Sequence, residues 1–197
     1  GAPSPASRVF DVSFKAQCAT DATYQRTATL LYDNEDLAVY QDSIQYMETP
    51  ISVALASQMA DYYAEHGRDM ITSYFGEPSD IDGNGKLVLL AMPNIDGVWD
   101  DAIAQVSNTD FFDKTAPWPE GCASSNEMEL MYFDSDIILN MEDGNFQALG
   151  TVAHEAKHVV SLYHRLLEYE ATGTYEGHPG WIEEGTAEVA GEMSARI

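Results

Sequence analysis

Positive charge is what this chain has least of. Against 33 Asp and Glu it carries 9 Lys and Arg, a formal charge of −24 over 197 residues. Such a surface repels nucleic acid phosphates and anionic lipid headgroups, so neither nucleic acid nor a membrane is an expected partner. Long apolar runs are also missing: no 18 uncharged apolar residues occur in a row, as a spanning helix requires. The opening GAPSPASR lacks the apolar centre of a signal peptide, and residues 1–7 read as a disordered start. The acidity suits a secreted or salt-exposed protein, two alternatives that composition leaves open. Only two cysteines occur, Cys18 and Cys122, too far apart for a local metal knuckle. They are either two buried thiols or a disulfide whose long loop contributes roughly 4–5 kcal/mol of closure entropy.

What is present suffices for one core: 45% of the residues are hydrophobic, and no internal repeat divides the chain. Strand signals come early and helix signals late, an α+β pattern. RTATLLYDNEDLAVYQD reads as two strands joined at DNED. ISVALASQMADYYAEHG has helical spacing and is expected to stop at Gly67, with a second short helix ending at Gly76. SDIDGNGKLVLLAM is a turn feeding an apolar strand. Within it Asp80, Asp82, Asn84 and Gly85 match the first half of a calcium loop, but Ala91 stands at the twelfth position, where a bidentate Glu belongs. A glycine-rich β-turn is therefore the preferred reading over bound Ca2+. Residues 96–126 read as loops around a short helix, and NEMELMYFD as a strand. Leu149, Val152, Ala156, Val159, Tyr163 and Leu166 recur at helical spacing, which predicts a helix from about Asn145, its N-cap, to Tyr169. Another helix is expected to start near Pro179 or Gly180.

The first of these late helices carries AHEAKHVVSLYH, residues 153–164. Residues four apart lie about 40° from each other around a helix, so His154 and His158 share a face and can bind one ion. Glu155, next to them, can reach water at that ion without ligating, as a general base must. A third ligand has two candidates. His164, with Ser161 and Met193, offers a metzincin-like HExxHxxSxxH pattern. On a continuing helix, however, it sits about 240° from His158, and only a sharp break would bring it round. Glycine makes such a break where serine resists it, and the apolar periodicity runs on unbroken. The preferred candidate is Glu184, in WIEEGTAEVAGE. Glu184 and Glu188 share a face, whereas Glu183 points about 100° away. Glu184 can complete a His, His, Glu set with a position left for water, and Glu188 can accept a hydrogen bond from the back nitrogen of a ligating histidine, His154.

HEAKH followed by WIEEGTAE resembles the gluzincins, the thermolysin-like zinc metallopeptidases. DIDGNGKLVLL, FFD, SNEMELMYFD, HEAKH and WIEEGTAEVA, in that order, are most similar to the hyicolysin family of bacterial secreted peptidases, over about residues 80–197. The resemblance implies Zn2+ held by His154, His158 and Glu184, with Glu155 catalytic, in a zincin-like domain over residues 8–197. It implies a small mixed sheet whose edge strand lies over the HExxH helix, and a second, glutamate-bearing helix. Lys157, inside the motif, is expected to face away from the metal. The closing C-terminal lobe of thermolysin-like enzymes is expected to be absent or carried by a separate segment or chain, because little sequence follows Glu184. The activity implied is zinc-dependent hydrolysis of a peptide or protein substrate, laid along an exposed strand edge for which EMELMYFD is the candidate. Tyr175 and His178, in TGTYEGHPG, are the candidate donors to the oxyanion, Tyr175 at a spacing from Glu184 that resembles thermolysin's tyrosine. The alternative function is a zinc-stabilised module that binds peptides or surfaces without turnover.

Overall fold

The fold is taken from a computed structural model, which describes residues 3–12, 18, 24–93, 102–116, 121–139, 146–174 and 179–196. Its elements in chain order are β1 (Ser7–Asp11), β2 (Gln25–Asp33), β3 (Leu37–Asp42), α1 (Ser43–Glu48), α2 (Val53–Tyr62), α3 (Arg68–Tyr74), β4 (Leu87–Met92), β5 (Ala104–Val106), β6 (Leu130–Asp134), α4 (Ser135–Leu139), α5 (Phe146–Thr172) and α6 (Gly180–Ser194). Six strands form one sheet in the order β1-β2-β3-β4-β6-β5. The β3, β4 and β6 strands run parallel, with Leu37 opposite Leu87 and Val88 opposite Leu130, while β1, β2 and β5 pair antiparallel to their neighbours. The protein is thus α+β, as the sequence pattern predicts.

LVLLAM and LMYFD are buried at every position because the central sheet is covered on both faces, which is why they read as unbroken apolar runs. Leu37, Val39, Leu89, Met131 and Phe133 face α2, α3 and α5, meeting Met59, Ile71, Val152, Ala156 and Val159. Tyr40, Leu90 and Tyr132 point the other way, onto Phe10, Val12 and Met128. Beneath that second layer Asp110 is buried, accepting hydrogen bonds from the Tyr132 hydroxyl at 2.7 Å and from Asn126 Nδ2 at 2.7 Å. Asn126 in turn pairs with the backbone of Asp11, bracing β1 against the approach to β6.

Several expectations need correction. The α2 helix does not stop at Gly67: a π-helical turn, Tyr63–Gly67, carries it directly into α3. Gly67 is needed there for space, since a Cβ would lie 2.5 Å from the Tyr63 ring. Gly76 does end α3, in a left-handed conformation with φ +114°. The start of the chain is tied down from Ser4 onward: Ser4 bonds Asp33 through backbone and hydroxyl, and the Tyr40 hydroxyl donates to the Pro5 carbonyl. A disordered segment over residues 1–7 therefore does not hold for this part. The loops of 96–126 contain a strand, β5, and it forms the sheet edge; the strand expected at the edge, β6 in EMELMYFD, is paired on both sides by β4 and β5. Asn145, the expected cap of α5, lies outside the described residues.

Cys18 and Cys122 form a disulfide with Cα atoms 4.6 Å apart, closing a sequence separation of 104 residues. Reduction is expected to cost roughly 4–5 kcal/mol on loop-closure entropy. Denaturant unfolding with and without reductant measures it, and a difference below about 1 kcal/mol would contradict this role.

Candidate metal centre

The helices α5 and α6 cross where each has a glycine. A Cβ on Gly150 would stand 3.2 Å from the Gly191 carbonyl oxygen, and one on Gly191 would stand 3.1 Å from the Gly150 oxygen. Two small residues thus let the backbones touch and bring the side chains of one helix within reach of the other. His154 and His158 lie on α5, which continues unbroken to Thr172, and Glu184 and Glu188 lie on α6.

The three expected ligands converge. The Nε2 atoms of His154 and His158 are 3.1 Å apart, and Oε2 of Glu184 lies 3.6 Å from the first and 3.5 Å from the second. These three atoms can hold one metal ion. Glu188 places Oε1 3.9 Å from His154 Nδ1, the back nitrogen expected, at an ion-pair separation longer than a hydrogen bond. His164 is elsewhere: its imidazole packs beside Gly76 at the end of α3, on the side of α5 that helical spacing predicts. Met193 is partly buried against the main core. Tyr175 and His178 lie outside the described residues.

Burial lowers the pKa of both imidazoles, helped at His154 by His158 and at His158 by Lys157, and opposed at both by the Glu184 charge. Neutral imidazoles are the form that ligates a metal. Glu155 is 3% exposed, and burial pushes its carboxyl up to about 7, with His158 opposing and Glu184 adding to the rise. Its Oε1 is 4.0 Å from His154 Nε2, and its Oε2 has no hydrogen-bond partner among the described residues. A cavity of about 550 Å³ opens over these groups, lined by Glu155, Glu184, Glu188, His154 and the segment Ala102–Ala104 that runs into the edge strand β5.

The residue that sequence reasoning undervalued is Glu183. It does point away from the Glu184 face, but into the helix contact, where it is buried. Its Oε1 takes the Nδ1 of His158 at 2.9 Å and Lys157 Nζ at 2.8 Å, while its Oε2 takes Arg165. A carboxylate on the back nitrogen fixes the ring so that Nε2 faces the ligand cluster. Lys157 accordingly turns to α6 and is the counter-charge for this carboxylate. The clue was available: the chain has only 9 basic residues, and two of them flank His158 on one helix. Comparison with known proteins adds no assignment, since no protein-family model and no curated protein matches the chain.

Two outcomes follow from these contacts. Glu183→Gln should weaken metal affinity roughly 10–100-fold in a chelator competition, and unchanged affinity would rule out its orienting role. In the metal-free chain, Glu155 holds its proton more tightly when folded than when unfolded. Its contribution to stability is therefore full below about pH 4.5 and is lost as pH rises through about 7, a fall of roughly 3 kcal/mol. Denaturant midpoints of wild type and Glu155→Gln across that range should diverge, the variant being the flatter; parallel curves would remove Glu155 as the source.

Proposed function

We propose that this protein is a secreted zinc-dependent endopeptidase with a zincin-like domain of the gluzincin type. The convergence of His154 Nε2, His158 Nε2 and Glu184 Oε2 carries this reading. Zinc bonds of 2.0–2.2 Å in a tetrahedron put ligand atoms roughly 3.3–3.6 Å apart, and the three separations are 3.1, 3.5 and 3.6 Å. Two nitrogens and one carboxylate oxygen form a donor set that suits catalytic zinc and leaves a position for water.

When bound, zinc supplies Lewis acidity that activates water and polarises a carbonyl. Glu155 takes the proton from the attacking water and returns it to the leaving amine. Its carboxyl is buried beside the cluster, where it can serve both steps. Glu183 holds His158, and Glu188 stands behind His154. The peptide lies extended against β5, in place of EMELMYFD, because β5 is the sheet edge and Ala102–Ala104 borders the cavity. Backbone pairing there binds peptides without demanding one sequence. Tyr175 and His178 remain the proposed oxyanion donors. The disulfide supports an oxidising, extracellular compartment.

Zinc content and chelator-sensitive casein cleavage, in wild type and in Glu155→Gln, test the proposal. Bound zinc in both with cleavage lost at least 100-fold in the variant is expected. Zinc in both without cleavage in either would establish the binding module instead. Absence of zinc from purified, zinc-supplemented protein sinks both.

A further inference from the structure

We propose a second metal site, for calcium, formed by Asp80, Asp82 and Glu129 and independent of the zinc reading. One carboxylate oxygen from each of the three lies within 4.8 Å of the others, a spread that Ca–O distances of roughly 2.3–2.6 Å can span. All the donors are oxygens, the ligand type of hard cations. Glu129 comes from just ahead of β6, some distance along the chain, and supplies the carboxylate that the loop itself lacks at Ala91.

A cluster of acidic residues on a turn is commonplace, but Glu129 is not on a surface. It is 0% exposed, and although its Oε1 accepts the Ile81 backbone N–H at 2.9 Å, its Oε2 has no hydrogen-bond partner among the described residues. A buried carboxylate oxygen left unpaired is costly, and such groups are retained where they are paired or coordinate a metal. The Ser79 hydroxyl beside it is buried too; it interacts with this carboxylate and partly offsets the rise that burial imposes on its pKa, but without hydrogen-bond geometry.

The neighbouring positive charges do not neutralise this group. Lys86 turns away to Asp33 at 2.6 Å. Arg8 reaches Asp82 at 3.5 Å and is one charge against three. The turn is shaped in advance: Asp80 Oδ1 accepts the Gly85 N–H, Asp82 Oδ1 accepts the Asn84 N–H, and Gly83 and Gly85 have positive φ. The bound ion ties the 80–85 turn to Glu129, and so clamps the starts of the adjacent parallel strands β4 and β6, where Val88 N–H already donates to the Glu129 carbonyl. Its effect is on stability.

Calcium chloride is titrated into the full chain while the melting temperature is followed, for wild type, Asp80→Asn, Asp82→Asn and Glu129→Gln. Wild type should rise by roughly 5–10 °C once calcium exceeds its Kd a hundredfold. Asp80→Asn and Asp82→Asn, which change partly or fully exposed groups, should lose at least half of that rise. Glu129→Gln should lose all of it, yet melt no lower than wild type in calcium-free buffer, because it removes an unpaired buried charge. No rise in wild type at about 10 mM calcium, above the Kd of weak calcium modules, overturns the site. So does an equal rise in all four proteins, which would place the ion elsewhere. Should Glu129→Gln fail to fold, the two aspartate variants decide between the same outcomes.

Discussion

Contact between α5 and α6 at Gly150 and Gly191 sets the distance at which everything in the centre operates. Side chains of ordinary size at that crossing would hold the helix axes apart, and the reach of a glutamate across to two imidazoles is short. The approach is tolerable only because the same interface is electrostatically closed. Glu183, driven into the contact, meets Lys157, Arg165 and His158. A buried carboxylate alone would cost several kcal/mol; surrounded by two cations and an imidazole it becomes the anchor that sets helix register. The face turned to the cavity carries Glu184 and Glu188, both largely exposed.

Positive charge is placed with the same restraint. With nine cations among 197 residues, few are left for decoration. Lys157 and Arg165 go to Glu183, Lys86 goes to Asp33 at the sheet end, and Arg8 goes to Asp82. Each sits where an acidic group is held away from water, while most other carboxylates are left to solvent. Glu129, like Asp110 and Glu155, is a buried carboxylate without an ion pair to lysine or arginine among the described residues.

Legibility in the sequence followed the range of the interaction. His154 and His158 were readable because helical geometry relates residues four apart, and the failure of His164 to join them followed from the same rule. Glu184 was readable by its spacing from Glu188 and by family resemblance. Glu183 was not, since periodicity gives its angle relative to Glu184 but not which face of α6 meets α5. The strand β5 is three residues long and half-buried, too short for any alternation to show. Gly67 looked like a helix stop because glycine usually is one; here the Tyr63 ring required it, a contact across one turn that composition does not reveal. The calcium-loop template takes its side-chain ligands from spaced positions of one short loop, so a carboxylate from the segment ahead of β6 falls outside it.

The order of the sheet carries a consequence for how the molecule is made. Strand β5 precedes β6 in the chain, yet β6 stands between it and the rest of the sheet. Until residues 130–134 are inserted, β5 has no partner strand among the described residues. The histidines and then the glutamates follow still later along the chain. A growing polypeptide therefore carries its first four strands, α2 and α3 before it carries α5, the last part of their helical cover, or the side chains of His154, His158 and Glu184.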